Sequence, residues 1–499
     1  MGDRHDTTTL PMHRSGDAVA PDGPSRRALL GVAGGLLAGA AMDLRPRPAA
    51  AQSAADAELA RVQAARRILL KGGVVLTLDS QVGDFAGADV LIEDGKIREI
   101  RPDVAVSGET AAIVDASNRI LIPGFVDTHS HSYQGLLRGI LASGVLVPDY
   151  NRDVQTTLTP AYAPADVYAG VLATALGMIE MGTTGVVDIS QISHTPEHSD
   201  ACIRALQDSG IRAVFAFHRG AGPAAQYPQD IGRLQRTYFS SKDQLLTLAL
   251  ASPVNAKIIG VAREAGVPAV VHLVDKGSSE QFIELGRAGL LRPGDEFIHC
   301  LNLSDDAWRL IKDGGGNVSV CAAVDMAMGH GTPAIQEALD HGLRPSLSSD
   351  HGVTIAQDFF SVMRATFALQ HMLHFQRVRA GDQNPPALVT CRDMLEFATV
   401  AGARCGNLGH KIGTLTPGKD ADVVMLRTDG PSIWPLNNAA GAVVNLMTPA
   451  DVDTVLIAGK ARKWRGSLVG VDMARFLRQV EEARDAVMRR AGYRLNVLG

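Results

Sequence analysis

The sequence has few cysteines, and none of them has the spacing of a metal or redox motif. Its five cysteines are scattered singly along 499 residues, without a C-x-x-C pair: Cys202, Cys300, Cys321, Cys391 and Cys405. This distribution gives no support to a zinc finger or a thioredoxin-like motif, and the odd number argues against a full disulfide framework. We therefore predict that most of these thiols are small buried hydrophobic groups.

The sequence also lacks a basic excess and is poor in aromatic residues. The formal net charge is −5, aromatic residues make up 5% of the chain, and hydrophobic residues make up 46%. Because no basic run occurs in its body, the chain is not expected to bind nucleic acid. Its length and apolar content are sufficient for a large core together with a smaller second domain.

The first 51 residues have the composition of an export signal. Arg26 and Arg27 precede a short apolar stretch over residues 28–42, and small residues follow at 49–51. This order is typical of a signal peptide of the twin-arginine type, with cleavage after Ala51. Because the apolar stretch is short for a bilayer span, a weak membrane anchor is the lesser alternative. We predict a periplasmic or secreted protein without stable membrane insertion.

Two groups of short strands bracket the rest of the chain. Apolar runs lie between residues 66 and 121, where Asp94-Gly95 is typical of a hairpin turn. A similar pattern returns in residues 413–470. We predict that segments 52–121 and 411–470 pair into one small composite β-sandwich domain, and that 471–499 forms a C-terminal amphipathic helix.

Strand and helix patterns alternate between these two flanks. Eight strands are predicted, at 123–128, 183–189, 211–217, 246–252, 267–273, 295–300, 317–322 and 345–349. Eight strands with helical crossovers are typical of an α/β protein with a (β/α)8 TIM barrel, which we place at residues 122–410. The reactive groups of such a barrel lie just beyond the carboxyl ends of its strands.

Histidines and an aspartate occur at four of the predicted strand ends. His129 and His131 end the first strand, and both point to the same side because side chains alternate along a strand. His272, His299 and Asp350 end strands five, six and eight. Imidazoles combined with one carboxylate suit Zn(II) or Fe(II). The sequence therefore predicts a metal centre at the carboxyl end of the barrel.

Several segments together resemble the amidohydrolase superfamily, in the branch that holds cytosine deaminase, S-adenosylhomocysteine deaminase and the triazine chlorohydrolases. They are Pro-Gly-Phe-Val-Asp-Thr-His-Ser-His at 123–131, the later strand-end residues, and Gly-Thr-Leu-Thr-Pro-Gly-Lys-Asp-Ala-Asp-Val-Val at 413–424. The resemblance covers roughly residues 66–470 and implies a barrel with a composite β-sandwich and a hydrolytic metal centre. It implies the metal ligands His129, His131, His272 and Asp350. It also implies that His299 orients the water or the substrate.

The resemblance also bears on the number of metal ions. Binuclear members of the superfamily bridge two ions with a carbamylated lysine at the end of strand four. No lysine occurs between Lys96 and Lys242, and Lys242 precedes the predicted strand 246–252, at its wrong end. We therefore expect one divalent ion, with zinc favoured and iron as the alternative.

The expected chemistry is hydrolysis by an activated water. The metal lowers the pKa of a bound water to about 7, and Asp350 takes its proton and later delivers it to the leaving group. His299 hydrogen-bonds the charge that develops on the substrate. Related deaminases carry H-x-x-E after strand five, whereas this chain has His272-Leu-Val-Asp275. Asp275 is either a shortened proton shuttle or a solvated loop acid.

Three further histidines are candidates for the pocket. His218, at the end of strand three, and His351, directly after Asp350, are predicted to bind substrate. His330 lies between two glycines, in a segment that departs from the family pattern. It either reaches the pocket mouth or is an ordinary loop residue.

The leading hypothesis is an exported metal-dependent hydrolase that acts on non-peptide C–N bonds of a small cyclic substrate, as an aminohydrolase. Hydrolytic loss of chloride, of an alkylamine or of an amide group needs the same ligands and is the alternative. A periplasmic binding protein without turnover is a third hypothesis, which loss of a ligand would favour. The resemblance further implies a homo-oligomer.

Overall fold

The computed structural model describes residues 49–106, 111–241, 243–274 and 277–498. The predicted signal peptide lies outside the described residues apart from its last three, which begin the helix Ala49–Ala64. Asp275 and Lys242 also lie outside them. Within the described ranges, none of the helices combines the length and the apolar character needed to cross a membrane.

The strands fall into three groups along the chain. The first group is β1 Arg67–Val75, β2 Phe85–Glu93, β3 Lys96–Arg101, β4 Ala112–Asp115 and β5 Arg119–Pro123. The second is β6 Phe125–Ser130, β7 Thr183–Ser193, β8 Arg212–Arg219, β9 Leu246–Pro253, β10 Ala269–His272, β11 Glu296–Ile298, β12 Asn317–Val320 and β13 Ser346–Leu347. The third is β14 Val423–Arg427, β15 Val452–Ile457, β16 Lys460–Trp464 and β17 Ser467–Leu468.

Helices connect most of the strands of the second group and follow the third. The α-helices after Ala49–Ala64 are Pro164–Glu180, Pro196–Ser209, Ile231–Tyr238, Ala256–Ala265, Ser278–Arg287, Asp305–Asp313, Ala322–Met328, Ile335–Asp340, Phe359–Arg379, Cys391–Glu396, Gly402–Cys405, Ala439–Gly441 and Met473–Ala491. The π-helical segments are Leu146–Leu158, Phe397–Ala401 and Ala442–Leu446. Short 3-10 turns lie at Ser132–Leu137, Thr159–Ala161 and Pro449–Asp451.

The first and third groups form one mixed sheet of nine strands. The two ends of the chain meet where β5 pairs antiparallel with β14. The Asp94-Gly95 hairpin is confirmed, because β2 and β3 pair antiparallel across it and both residues have positive φ, 51° and 78°. Such angles are what a tight two-residue hairpin turn requires.

The second group forms a separate sheet of eight parallel strands in the order β6 to β13. Each predicted barrel strand overlaps one of them, so the predicted fold class, a (β/α)8 barrel with a second β unit from both flanks, is confirmed. A parallel bridge between Ser130 and Asp350 joins the end of β6 to the residue that follows β13. Because β6 and β13 are the outer strands in the pairing order, this bridge closes the barrel.

A buried arginine links the barrel to the mixed sheet. Arg212, at the start of β8, is 1% exposed, and its Nε and Nη2 donate to the two carboxylate oxygens of Asp422 at 3.0 Å each. Nη2 also lies 3.0 Å from Oδ2 of Asp420. Two acids of the Lys-Asp-Ala-Asp-Val-Val segment therefore neutralise the same buried cation, which gives that motif a structural role.

Candidate active site

Barrel closure brings the predicted ligands from the first and last strands together. The N–H of His131 donates to the carbonyl of Asp350, and the N–H of Asp350 donates to the carbonyl of His129, both at 2.8 Å. His272 is the last residue of β10, in register with Ile298 of β11, and His299 follows directly. All four strand ends therefore deliver their polar side chains to the same face of the barrel.

The imidazole nitrogens of three histidines converge on one point. Nε2 of His129 lies 3.2 Å from Nε2 of His131 and 3.2 Å from Nε2 of His272. Oδ1 of Asp350 lies 3.6 Å from Nε2 of His129 and 3.4 Å from Nε2 of His131. Ligands at 2.0–2.1 Å from a tetrahedral ion lie about 3.3 Å apart, so these four side chains fit one zinc-sized cation.

The other ring nitrogens are held by groups behind the site. Nδ1–H of His131 donates to the carbonyl of Ile189 at 3.1 Å, and Nδ1 of His129 lies 3.2 Å from Sγ of Cys321. The carbonyl fixes the tautomer of His131 and leaves its opposite nitrogen free for a metal. Burial holds the pKa values of His129 and His272 well below their usual range, so both rings are neutral, as metal ligands must be.

Asp350 presents its two oxygens to different neighbours. Oδ1 faces the converging histidines, whereas Oδ2 lies 4.0 Å from Nε2 of both His299 and His351. Burial opposes ionisation of Asp350, but His351, His129 and His131 hold the pKa of its carboxyl well below its usual range. An ionised carboxylate here can bind a cation with one oxygen and accept a proton with the other.

Asp127 supports this arrangement from below. Its carboxylate accepts from the backbone N–H of His129 at 3.2 Å and from that of Ser349 at 3.1 Å, and it also accepts from the hydroxyl of Ser349. Burial raises the pKa of Asp127 to about 7. Since these bonds join the residues beside both strand ends, Asp127 fixes the distance between His129 and Asp350.

His299 is held by an aspartate that the sequence patterns did not mark as functional. Nδ1–H of His299 donates to Oδ1 of Asp325 at 2.8 Å, and Nε2 is left toward Asp350. Burial lowers the pKa of His299, but the charge and hydrogen bond of Asp325 outweigh it and raise that pKa overall. His299 and Asp350 have φ of 65° and 59°, left-handed values that are uncommon outside glycine and cluster at functional sites.

A cavity of about 210 Å³ opens beside these residues. Its wall includes several side chains that sequence reasoning missed: Leu146, Tyr150, Asn151, Gln155 and Gln191. The ring of Tyr150 stacks on His351 at 5.0 Å, and its hydroxyl accepts from Nε2 of Gln134 at 2.7 Å and of Gln155 at 2.9 Å. The wall thus combines a flat aromatic face with amide groups that can bind a polar ring.

The remaining predicted residues occupy different places. His351 lines the cavity, whereas His218 is not among the lining residues, and its ring centroid lies 6.4 Å from that of His272. His330 does line the cavity, which decides between the two sequence alternatives for it. Asp275 lies outside the described residues. Strand four, β9, contains no lysine, and the following Lys257 is exposed.

The model of the amidohydrolase family matches residues 120–462, which is more than half of the chain. The chain belongs to the amidohydrolase family. This amidohydrolase is 27% identical over 452 residues to the 5′-deoxyadenosine deaminase of Methanosarcina mazei, covering 85% of the chain and 99% of the relative. It is 24% identical over 441 residues to the 5-methylthioadenosine/S-adenosylhomocysteine deaminase of Pyrococcus furiosus, covering 83% of the chain and all of the relative.

Solved structures share the fold over nearly the same span. An adenosine deaminase from Xanthomonas campestris with bound zinc superposes with a TM-score of 0.73 at 21% identity, covering 85% of this chain and 98% of that one. A variant of atrazine chlorohydrolase from Arthrobacter aurescens, complexed with zinc, gives 0.73 at 20% identity, covering 84% of this chain and all of that one. The family assigns this amidohydrolase to the hydrolases of C–N bonds other than peptide bonds. Its site contains residues that can hold a metal ion.

Proposed function

We propose that this amidohydrolase is a zinc-dependent aminohydrolase that removes an amino group from a small nitrogen heterocycle, of the kind that adenine nucleosides carry. One zinc ion is held by His129, His131, His272 and Asp350. The curated relatives named as 5′-deoxyadenosine and 5-methylthioadenosine/S-adenosylhomocysteine deaminases support this choice of substrate, since they align along almost their whole length. The wall of amide groups beside a stacked tyrosine also suits a polar aromatic ring.

The main support for the proposal is that the two carboxylate oxygens of Asp350 face different groups. Nε2 of His129 lies 3.2 Å from the Nε2 atoms of His131 and His272, and Oδ1 of Asp350 lies 3.4–3.6 Å from Nε2 of His131 and His129. A divalent metal bound there supplies a water acidic enough to lose a proton near neutral pH. Oδ2 of Asp350 lies 4.0 Å from Nε2 of His299, so both groups can contact the same substrate.

The protein's own residues then act in sequence. Asp350 accepts a proton from the attacking water through Oδ2 and returns it to the departing nitrogen, so that ammonia leaves as a neutral molecule. Asp325 keeps His299 in place and raises its pKa, so that His299 in its protonated form donates from Nε2–H to the ring atom next to the attacked carbon. The cavity of about 210 Å³ is smaller than the roughly 300–1,000 Å³ usual for drug-sized ligands, which favours a small substrate over a polymer.

The test combines metal content with ammonia release. Purified protein is assayed for zinc and iron by plasma mass spectrometry and for ammonia formed from 5′-deoxyadenosine. We expect about one zinc per chain and turnover that stops when the metal is removed. Two ions per chain would contradict the single-metal centre, and absence of bound metal would contradict the ligand set. Chloride release from atrazine without ammonia release from any aminopurine would favour the alternative hydrolysis.

We further propose that the protein is exported through the twin-arginine route and works outside the cytoplasm as a homo-oligomer. Paired arginines before a short apolar stretch support the export route. Replacing Arg26 and Arg27 together by lysine should keep the protein in the cytoplasmic fraction, whereas the unchanged chain should appear in the periplasm. Light scattering of the mature protein tests the oligomer, and a monomer mass would refute it.

A further inference from the structure

A turn that follows β12 and the next short helix places His330 at the wall of the active-site cavity. The helix Ala322–Met328 ends at Gly329, with φ of 75°, and Gly331 has φ of 149°. The N–H of His330 donates to the carbonyl of Asp325 at 2.9 Å. The imidazole of His330 then packs edge to face against that of His299, with ring centroids 5.2 Å apart.

One carboxylate oxygen sets the orientation of both rings. Oδ1 of Asp325 lies 2.8 Å from Nδ1 of His299 and 3.0 Å from Nδ1 of His330, and the Asp325 side chain is fully buried. Because a carboxylate only accepts hydrogen bonds, both Nδ1 atoms carry hydrogen. In the neutral form of His330 the opposite nitrogen, Nε2, is then an acceptor.

The acceptor of His330 has no hydrogen-bond partner among the residues that the structure describes. Its side chain is 5% exposed, and Nε2 is buried without a hydrogen-bond partner in the described part of the chain. His330 lines the same cavity as His299 and Asp350. A buried polar atom without a partner is unfavourable, and at the wall of a binding cavity a ligand is the group that can satisfy it.

We propose that His330 is a substrate-binding residue whose Nε2 accepts a hydrogen bond from an N–H of the substrate, with Asp325 as its positioning residue. The inference rests on the proposed function and narrows the substrate to rings that carry an amino or ring N–H donor beside the attacked carbon. A halogen at that place has no hydrogen to donate and would leave Nε2 unpaired.

The same three side chains offer a competing occupant, which the test has to separate. His299, Asp325 and His330 place one ligand atom each within 4.8 Å of one another, a spacing that a second cation also accepts. A cation would replace the hydrogens on the two Nδ1 atoms. Metal stoichiometry therefore distinguishes a second metal from a substrate contact.

The experiment compares His330→Phe and His330→Gln with the wild type in metal-loaded protein, using 5′-deoxyadenosine as the probe. Phenylalanine keeps the ring without the acceptor, whereas the side-chain oxygen of glutamine can take the place of Nε2. We expect KM to rise about 10–100-fold in His330→Phe with kcat less affected, and to return most of the way in His330→Gln. Zinc content should stay at one per chain in all of them.

His341→Phe is the matched control, since His341 stacks on Trp308 away from the cavity and should leave KM unchanged. Asp325→Leu tests the positioning role of Asp325. It removes the hydrogen bonds that hold both His330 and His299, so kcat should fall and KM should rise together. If His330→Phe is unstable, His330→Leu, which also lacks the acceptor, takes its place.

A wild-type KM in His330→Phe would overturn the inference while ammonia release by the wild type upholds the proposed function. Loss of one of two metals in His330→Phe would show that the cluster holds a cation. A wild type that releases no ammonia would overturn the proposed function, and the inference would fall with it.

Discussion

Replacing Asp350 by asparagine separates the two tasks proposed for this side chain. The amide keeps an oxygen that can face His129 and His131, which lie 3.6 and 3.4 Å from Oδ1. It puts a nitrogen with two hydrogens where Oδ2 lies 4.0 Å from Nε2 of His299. The variant therefore retains a neutral metal ligand but has no group that accepts the proton of the attacking water.

The size of the effect follows from the loss of the proton acceptor. A positioned general base contributes about 10²–10⁴-fold to a rate, which corresponds to roughly 3–5 kcal/mol in the barrier. We expect kcat for ammonia release by Asp350→Asn to fall by at least about a hundredfold, compared at equal metal content. The metal is loaded before the assay and counted by plasma mass spectrometry, so that weaker binding is not mistaken for slower chemistry.

Asp358→Asn is the matched control for this experiment. Asp358 is also buried, but it caps the helix Phe359–Arg379 by accepting from the N–H of Ser361 at 2.8 Å, and an asparagine can cap as well. Its activity should stay within about twofold of the wild type. If metal-loaded Asp350→Asn kept more than a tenth of the wild-type rate, Asp350 would not be the proton acceptor. Ligand binding without turnover in the wild type would favour the binding-protein hypothesis.

Three other predictions concern stability. Arg212→Met leaves the buried carboxylate of Asp422 without its cation and should lower the free energy of unfolding, measured in urea, by about 3–5 kcal/mol. Arg66→Met, the control, removes an exposed ion pair and should change the free energy of unfolding little. Equal effects of the two substitutions would contradict the role of burial. Burial lowers the pKa of His194, so its contribution to stability is complete above about pH 6.5 and is lost as the pH falls further. His194→Gln should therefore flatten the pH dependence of the urea midpoint below that pH, and an unchanged slope would refute this. Stripping the metal with a chelator should destabilise the protein by about 4 kcal/mol relative to metal at a thousandfold excess over Kd, and an unchanged Tm would contradict a tightly bound ion.

The sequence predicted the parts of the site that depend on strand periodicity. Alternation along one strand places His129 and His131 on the same side, and the carboxyl ends of parallel barrel strands bring His272 and His299 to the same end of the barrel. The eight barrel strands were predicted for the same reason, since buried parallel strands are short apolar runs between helices. The hairpin at residues 94–95 followed from turn chemistry alone.

Contacts across loops could not be predicted in this way. The hydrogen bond from His330 to Asp325 depends on a turn between two glycines of positive φ. No sequence pattern specifies the direction in which such a turn presents its side chain. Tyr150 reaches the cavity from a π-helical segment, whose side-chain directions follow neither the strand nor the α-helix period. The roles of His218 and Asp275 stay predictions.

The bridge between Ser130 and Asp350 determines when, during synthesis and folding, the chain can bind its metal. His129 and His131 emerge early in synthesis, whereas Asp350 belongs to the segment after the last barrel strand. The two backbone bonds that join these segments are made by the ligand residues themselves. A nascent or truncated chain therefore cannot assemble the full ligand set, and selective loading with metal has to follow closure of the barrel. Under the proposed export, the choice of metal would belong to the compartment where folding is completed.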